Sequence, residues 1–179
     1  MEEIFTGNFG ITTGNVAIIK KGEPLRSFFG YEVTGIWQEG DDFSAISNNN
    51  SPGDFKYKDV NQDGTIDGAD RVIIGNSFPD FEWSLGNTIS FKSLQLYFSF
   101  KGVDGVQMLN GNLLENYYPR SGTRINRLAQ PFLNRWTPDN PSNKYPSYLN
   151  LDQYTFSTNS HTVQDASYIK LQTVRLTYN

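Results

Sequence analysis

The sequence predicts a mainly β fold, with antiparallel strands, long loops and one or two short helices. Three observations point there. Aromatic residues make up 15% of the 179, with ten Tyr and thirteen Phe, while Ala and Leu are sparse, a balance that suits pleated strands better than helices. Residues 81–101 alternate apolar and polar side chains in two successive runs, the period of a strand with two different faces. Glycine and proline punctuate the remainder at short intervals, which marks turns and long connections. The length suffices for one domain with a real core.

In chain order, Val16-Ala17-Ile18-Ile19 is a short strand, and Lys20-Lys21-Gly22-Glu23-Pro24 a turn. Phe28 to Trp37 is aromatic and β-branched with glycines at 30 and 35, so a strand with bends is expected. Gly40 to Gly53 is an Asn- and Ser-rich loop. Phe81, Trp83, Leu85, Asn87, Ile89 and Phe91 share one face of a strand, and Glu82, Ser84, Gly86, Thr88 and Ser90 the other. The phase changes at Lys92-Ser93, after which Leu94, Leu96, Phe98 and Phe100 oppose Gln95, Tyr97, Ser99 and Lys101. That is a hairpin with a very tight turn. Each strand has the length needed to cross a bilayer at a tilt, although a hairpin in a soluble sandwich alternates in the same way. Residues 102–160 form a long polar connection. A short helix is expected between Val106 and Tyr118, ended by Pro119, and another between Arg124 and Trp136, interrupted by Pro131. From Ala166 to Tyr178 strand character returns. Ile169 and Leu171 lie in one phase and Val174, Leu176 and Tyr178 in the other, which requires a bulge near Gln172-Thr173.

The most specific local motif is Asp59 to Asp70. Oxygen-bearing side chains occupy positions 1, 3, 5, 9 and 12 of a twelve-residue loop, with Gly64 at position 6. This is the spacing of a calcium loop, in which a hard cation gathers six to eight oxygens and glycine permits the sharp turn. Asp59, Asn61, Asp63, Asp67 and Asp70 are candidate side-chain ligands for Ca2+, and Thr65 a candidate carbonyl ligand. Position 12 is Asp70 rather than Glu, one methylene shorter. An acidic surface turn that binds no ion is the other reading. The residues that follow, Arg71-Val72-Ile73-Ile74-Gly75, disfavour a helix. The loop is therefore expected to staple a connection between strands rather than orient two helices.

Several function classes lose support. The net charge of −4 gives no electrostatic help to a nucleic-acid partner. Absence of cysteine removes disulfides, thiolate catalysis and thiolate-bound zinc. His161 is alone of its kind, in a polar stretch, and is expected to be a solvated loop residue. Acid pairs such as Asp41 with Asp42, or Asp139 with Asp152, have no spacing that favours glycosidase chemistry, and no enzymatic role is expected. Met1-Glu2-Glu3 does not open a signal peptide. No window reaches the ~18 apolar residues of a membrane helix, which leaves barrel strands untouched.

Taken together and in order, these pieces resemble the SusC/RagA family of TonB-linked outer-membrane transporters. The residues that carry the likeness are Phe29-Gly30-Tyr31 with Gly35-Ile36-Trp37, Pro52-Gly53-Asp54-Phe55-Lys56-Tyr57-Lys58-Asp59-Val60-Asn61 through Asp67, Asp70 to Asn76, Pro79-Asp80-Phe81, Arg135-Trp136-Thr137-Pro138 with Asn140-Pro141, and Asp165 to Leu171. Family members are several times longer, so the resemblance implies a section of the C-terminal half of a transmembrane β-barrel. The plug, the TonB-contacting segment and the last strands would lie outside it. It implies a transmembrane hairpin at 81–101 with its turn on the periplasmic side, extracellular loops at 38–80 and 102–165, and a further strand at 166–179. It implies the outer membrane of a Gram-negative bacterium, a SusD-like surface lipoprotein as partner, energy from TonB, and an oligosaccharide or peptide as ligand. Such a section would not transport alone. The alternative is a soluble, calcium-stapled β-domain that binds glycans through exposed aromatics such as Trp37, Trp83, Trp136 and Tyr118.

Overall fold

A computed structural model describes residues 16–20, 22–46, 50–113, 128–148 and 158–178. Among the described residues ten strands form four sheets. β1 (Ala17–Ile18), β2 (Ser27–Gly30) and β5 (Val72–Gly75) make a three-stranded sheet in the order β1-β2-β5. β3 (Val33–Ile36) pairs with β4 (Phe55–Tyr57), and β8 (Gln107–Leu109) with β9 (Val163–Asp165). The largest sheet contains β6 (Phe81–Phe91), β7 (Leu94–Asp104) and β10 (Tyr168–Tyr178), with β7 in the middle and all pairings antiparallel. β6 and β7 join through Lys92 and Ser93, where Lys92 adopts a left-handed backbone with φ 52.

The strand expected from Phe28 to Trp37 breaks at Tyr31-Glu32 into β2 and β3. The break serves a distant segment. Tyr31 N–H donates to the Thr158 carbonyl and Ser160 N–H to the Tyr31 carbonyl, each at 3.0 Å. Val33 N–H also donates to Ser160 Oγ at 3.0 Å.

The helices differ from expectation. Between Val106 and Tyr118 the chain first forms β8, because residues 107–109 pair with 163–165, and only residues 111–113 are helical before the described residues stop. In the second stretch α1 runs Ala129–Leu133 with Pro131 inside it. Pro131 does not interrupt this helix. It lies in the first turn, where N–H groups have no intrahelical acceptor to lose.

The principal core gathers Tyr31, Ile36, Phe55 and Tyr57 from β2–β4 and their junctions, Ile66 from the acidic loop, and Leu113, Trp136 and Tyr145 from the second long connection. The two connections are clamped together. Trp136 Nε1–H donates to Gln38 Oε1 at 2.8 Å, and Gln38 Nε2 donates to the Ile36 carbonyl at 2.9 Å. Ser147 N–H reaches the Gly53 carbonyl at 2.8 Å, and Trp136 N–H the Tyr145 carbonyl at 2.9 Å. None of these core residues comes from β6, β7 or β10.

Candidate functional site

The β6-β7-β10 sheet has two chemically opposite faces. Register places Leu85, Phe100 and Leu171 in one row, Ile89, Leu96 and Leu176 in another, and Phe91, Leu94 and Tyr178 in a third, all on the same side. The bulge at Gln172 brings this about. Leu171 pairs with Phe100 and Thr173 with Ser99, so the extra residue re-phases the strand. Ile169 and Leu171 thereby share a face with Val174, Leu176 and Tyr178. Trp83 lies across the backbone of Gly102, where any Cβ would collide with its ring. The other face carries Glu82, Ser84, Thr88, Ser90, Gln95, Tyr97, Ser99, Lys101, Lys170, Thr173, Arg175 and Thr177.

Among the described residues no second sheet covers the apolar face. Leu176 is 68% exposed, Ile169 73% and Tyr178 79%. Each strand is 11 residues long, which at about 3.3 Å per residue gives about 36 Å of strand, or about 26 Å of height at a 45° tilt. That matches the roughly 25 Å apolar band of outer-membrane barrels.

The acidic loop folds as a ladder of carboxylates on backbone N–H groups. Asp59 Oδ1 accepts from Gln62 N–H at 2.6 Å and from Asp63 N–H at 3.3 Å, and its Oδ2 accepts from Gly64 N–H at 2.8 Å. Asn61 Oδ1 accepts from Asp63 N–H at 3.1 Å, and Asp63 Oδ1 from Thr65 N–H at 2.8 Å. Gly64 has φ +80, a conformation glycine enters without penalty. At the far end Asp67 caps a 3-10 turn, Gly68–Asp70, by accepting from Ala69 N–H. Asp70, fully buried, accepts from Val60 and Asp67 N–H at 2.8 Å each. Strand β5, not a helix, follows.

The spacing therefore brings Asp59, Asn61 and Asp63 into one hydrogen-bonded cluster and sets Asp67 and Asp70 at the closing turn. Among the described residues no group of three or more His or acidic side chains is arranged to hold a metal ion. The donor set is nonetheless all oxygen, as a hard cation requires. A carboxylate oxygen that accepts one N–H keeps a second lone pair. Ile66, not singled out by the sequence reading, is buried and pins the loop to the core. Arg71 continues the link: Nη2 donates to the Phe29 carbonyl at 2.7 Å, with the guanidinium 4.6 Å from the Phe29 ring centroid. Burial pushes the Tyr31 phenol above its ordinary value against the opposing pull of Arg71, while Asp67 and Asp70 raise it further.

Two expectations are overturned by burial. Trp37 is 3% and Trp136 4% exposed, so neither is a sugar platform; Tyr118 lies outside the described residues. His161 is not a solvated loop residue: its ring packs 4.9 Å from that of Phe55, and its N–H donates to Asn159 Oδ1 at 3.0 Å. Burial first, then the Lys144 charge, hold its imidazole below the ordinary 6.5. Below that pH the unfolded chain binds more protons than the folded one, so stability falls as the solution is acidified. The melting temperature is expected to drop between pH 7 and pH 5, and His161→Phe to flatten that slope. The pair Asp41 and Asp42 has structural tasks. Asp41 accepts from Gln38 N–H and Asp42 caps the 3-10 turn at Phe43–Ala45; Asp152 lies outside the described residues.

No family model matches the chain. A curated protein from Formosa agariphila, TonB-dependent receptor P26, is 35% identical over 170 residues, covering 93% of this chain and 17% of that protein. Over more than nine-tenths of its length the chain matches a TonB-dependent receptor. A second protein of the same organism, TonB-dependent receptor P3, is 30% identical over 165 residues, covering 90% of this chain and 16% of its own length. The chain also superimposes on a chain in the structure of the RagAB peptide importer in its closed-closed state. The TM-score is 0.59 at 22% identity, with 91% of this chain and 17% of the other covered. The shared fold is mainly β, with antiparallel sheets and few short helices. The section thus spans about one-sixth of the receptors it resembles.

Proposed function

We propose that this receptor section supplies three adjacent strands of an outer-membrane barrel wall and the surface loops above them. The parent would import an oligosaccharide or a peptide with a SusD-like lipoprotein, driven through TonB, in a Gram-negative bacterium. The observation that carries this reading is the 11-residue sheet with one bare apolar face and one polar face. In water such a face is a liability; against lipid it is the stable arrangement. β6 and β10 pair on one side only, so neighbouring strands of the parent must complete them, and the section alone is not competent for transport. The RagAB assembly is named a peptide importer, which favours a partnered importer; the ligand of this receptor is a separate matter. Its relatives are named as receptors rather than enzymes.

The experiment is cysteine labelling in the full-length receptor in membranes. Cysteine at Leu176 should react with a lipid-soluble maleimide and resist a charged one. Cysteine at neighbouring Thr177 should behave oppositely. Equal reactivity with the charged reagent at both positions would sink the barrel assignment.

We also propose that the Asp59–Asp70 loop holds Ca2+. Asp59, Asn61, Asp63, Asp67 and Asp70 would contribute side-chain oxygens, and Thr65 its carbonyl. The ion would supply the positive charge that lets these acids share one loop. A site with a dissociation constant of about 0.1 mM would add about 1.4 kcal/mol at about 1 mM calcium. Calcium is thus expected to raise the melting temperature, and Asp63→Asn to abolish the rise while keeping an acceptor for Thr65 N–H. If calorimetry detects no heat of binding at millimolar calcium, the loop is a self-satisfied acidic turn.

A further inference from the structure

Residues 158–162 fasten the end of the second long connection to the first strands. Asn159 and Thr162 are fully buried and fold the segment back on itself. Asn159 N–H donates to Thr162 Oγ1 at 3.2 Å, and Thr162 Oγ1 donates to the Asn159 carbonyl at 2.8 Å. The segment is joined to Tyr31 and Val33 by three hydrogen bonds, and Asn110 N–H donates to the Thr162 carbonyl at 2.8 Å. Its backbone lies so close to β2 that any Cβ at Gly30 would run into the Thr158 carbonyl. The one titratable side chain in this segment is His161. Its surroundings suit a neutral ring. β4 presents the uncharged Phe55 ring, 4.9 Å away between centroids. The connection after α1 presents the Lys144 cation. β2 and β3 meet the segment through the backbone of Tyr31 and Val33, and β8 through Asn110. Among the described residues no carboxylate pairs with His161.

We propose that residues 158–162 are an acid-sensitive fastening, in which protonation of His161 frees the segment from β2 and β3 before β3 and β4 come apart. An imidazolium in this place loses hydration and meets a second cation with no carboxylate to offset it. The Phe55 ring attracts a cation, but lost hydration and the Lys144 charge outweigh that attraction and hold the imidazole below its ordinary value. The cheapest relief is to turn His161 out into water. That move breaks the three bonds to Tyr31 and Val33, while the β3–β4 pairing and its core residues stay in place. Opening so small a unit costs less than unfolding the whole. The inference needs neither the barrel nor the calcium reading, since every group in it belongs to the core around β2–β4.

Hydrogen exchange of the full-length receptor at pH 7 and pH 5, corrected for the intrinsic pH dependence of exchange, tests the proposal. Peptides covering residues 30–34 and 158–162 report the fastening. Peptides covering 35–37 and 54–57 are the internal control, since Trp37 N–H donates to the Asp54 carbonyl at 2.8 Å within the β3–β4 region. On acidification the first pair is expected to lose several times more protection than the second. His161→Phe keeps an aromatic ring against Phe55 and is expected to abolish that difference. Lys144→Gln removes the neighbouring charge, makes protonation less costly to the folded segment, and is expected to shrink the difference. Equal loss in all four peptides overturns the proposal, because acid then acts on the fold as a whole. A difference that persists in His161→Phe also overturns it, because another group then carries the effect. Should His161→Phe fail to fold, Lys144→Gln decides, and an undiminished difference there overturns the proposal.

Discussion

In the barrel reading, replacing Val174 with arginine is expected to cost the sheet about 2–4 kcal/mol. Val174 pairs with Phe98, which pairs with Asn87, and this row lies midway along three strands of 11 residues each. In the barrel reading that is the depth at which a lipid-facing charge is hardest to solvate. The adjacent Thr173→Arg turns its side chain to the polar face and is expected to cost far less. Denaturant unfolding in phospholipid vesicles measures both. Equal costs at the two positions would mean that the sheet does not separate lipid from water. In detergent-free buffer the contrast should be reduced or reversed, since there the apolar face gains nothing from staying apolar.

The second large effect is expected at Phe55→Ala, at about 3–5 kcal/mol. Among the described residues Phe55 is the largest fully buried side chain, at 1% exposure. It holds Tyr57 on one side and His161 on another, with ring centroids 6.2 and 4.9 Å away. Losing it should loosen β3, β4 and the 158–162 segment together, because these elements share one core. The β6-β7-β10 sheet shares none of that core and is expected to keep its amide protection in a bilayer. Hydrogen exchange resolved by segment checks the partition. Uniform loss of protection across both regions would show one cooperative unit instead of two.

Much of this architecture was legible because its signals are local. Alternation over residues 81–101 and the tight turn at Lys92-Ser93 are properties of neighbouring residues, and β6 and β7 form there, with β7 running three residues further, to Asp104. The phase change after Leu171 demanded a bulge, and one occurs there. What the sequence could not display depends on partners far along the chain. Gln107–Leu109 become a strand because they meet Val163–Asp165. Trp37 and Trp136 are hidden because Gln38 and Gly53 draw two connections together, and His161 is desolvated by Phe55, more than a hundred residues away. The acidic loop is an intermediate case. Its ligand-type spacing is plain in the sequence, yet which lone pairs remain for an ion depends on how the backbone N–H groups turn, and residue types alone do not encode that.

The bulge in β10 has a further consequence, for insertions and deletions. Elsewhere in a strand with two unlike faces, losing one residue inverts every later side chain. At Gln172 the arithmetic differs. Without it, Leu171 would be followed directly by Thr173 in plain alternation, and Val174, Leu176 and Tyr178 would keep the face they have now. Gln172 is thus a supernumerary residue, and the shorter strand would carry the same pattern. Related receptors could gain or lose a residue at this point and leave the sheet's two surfaces intact.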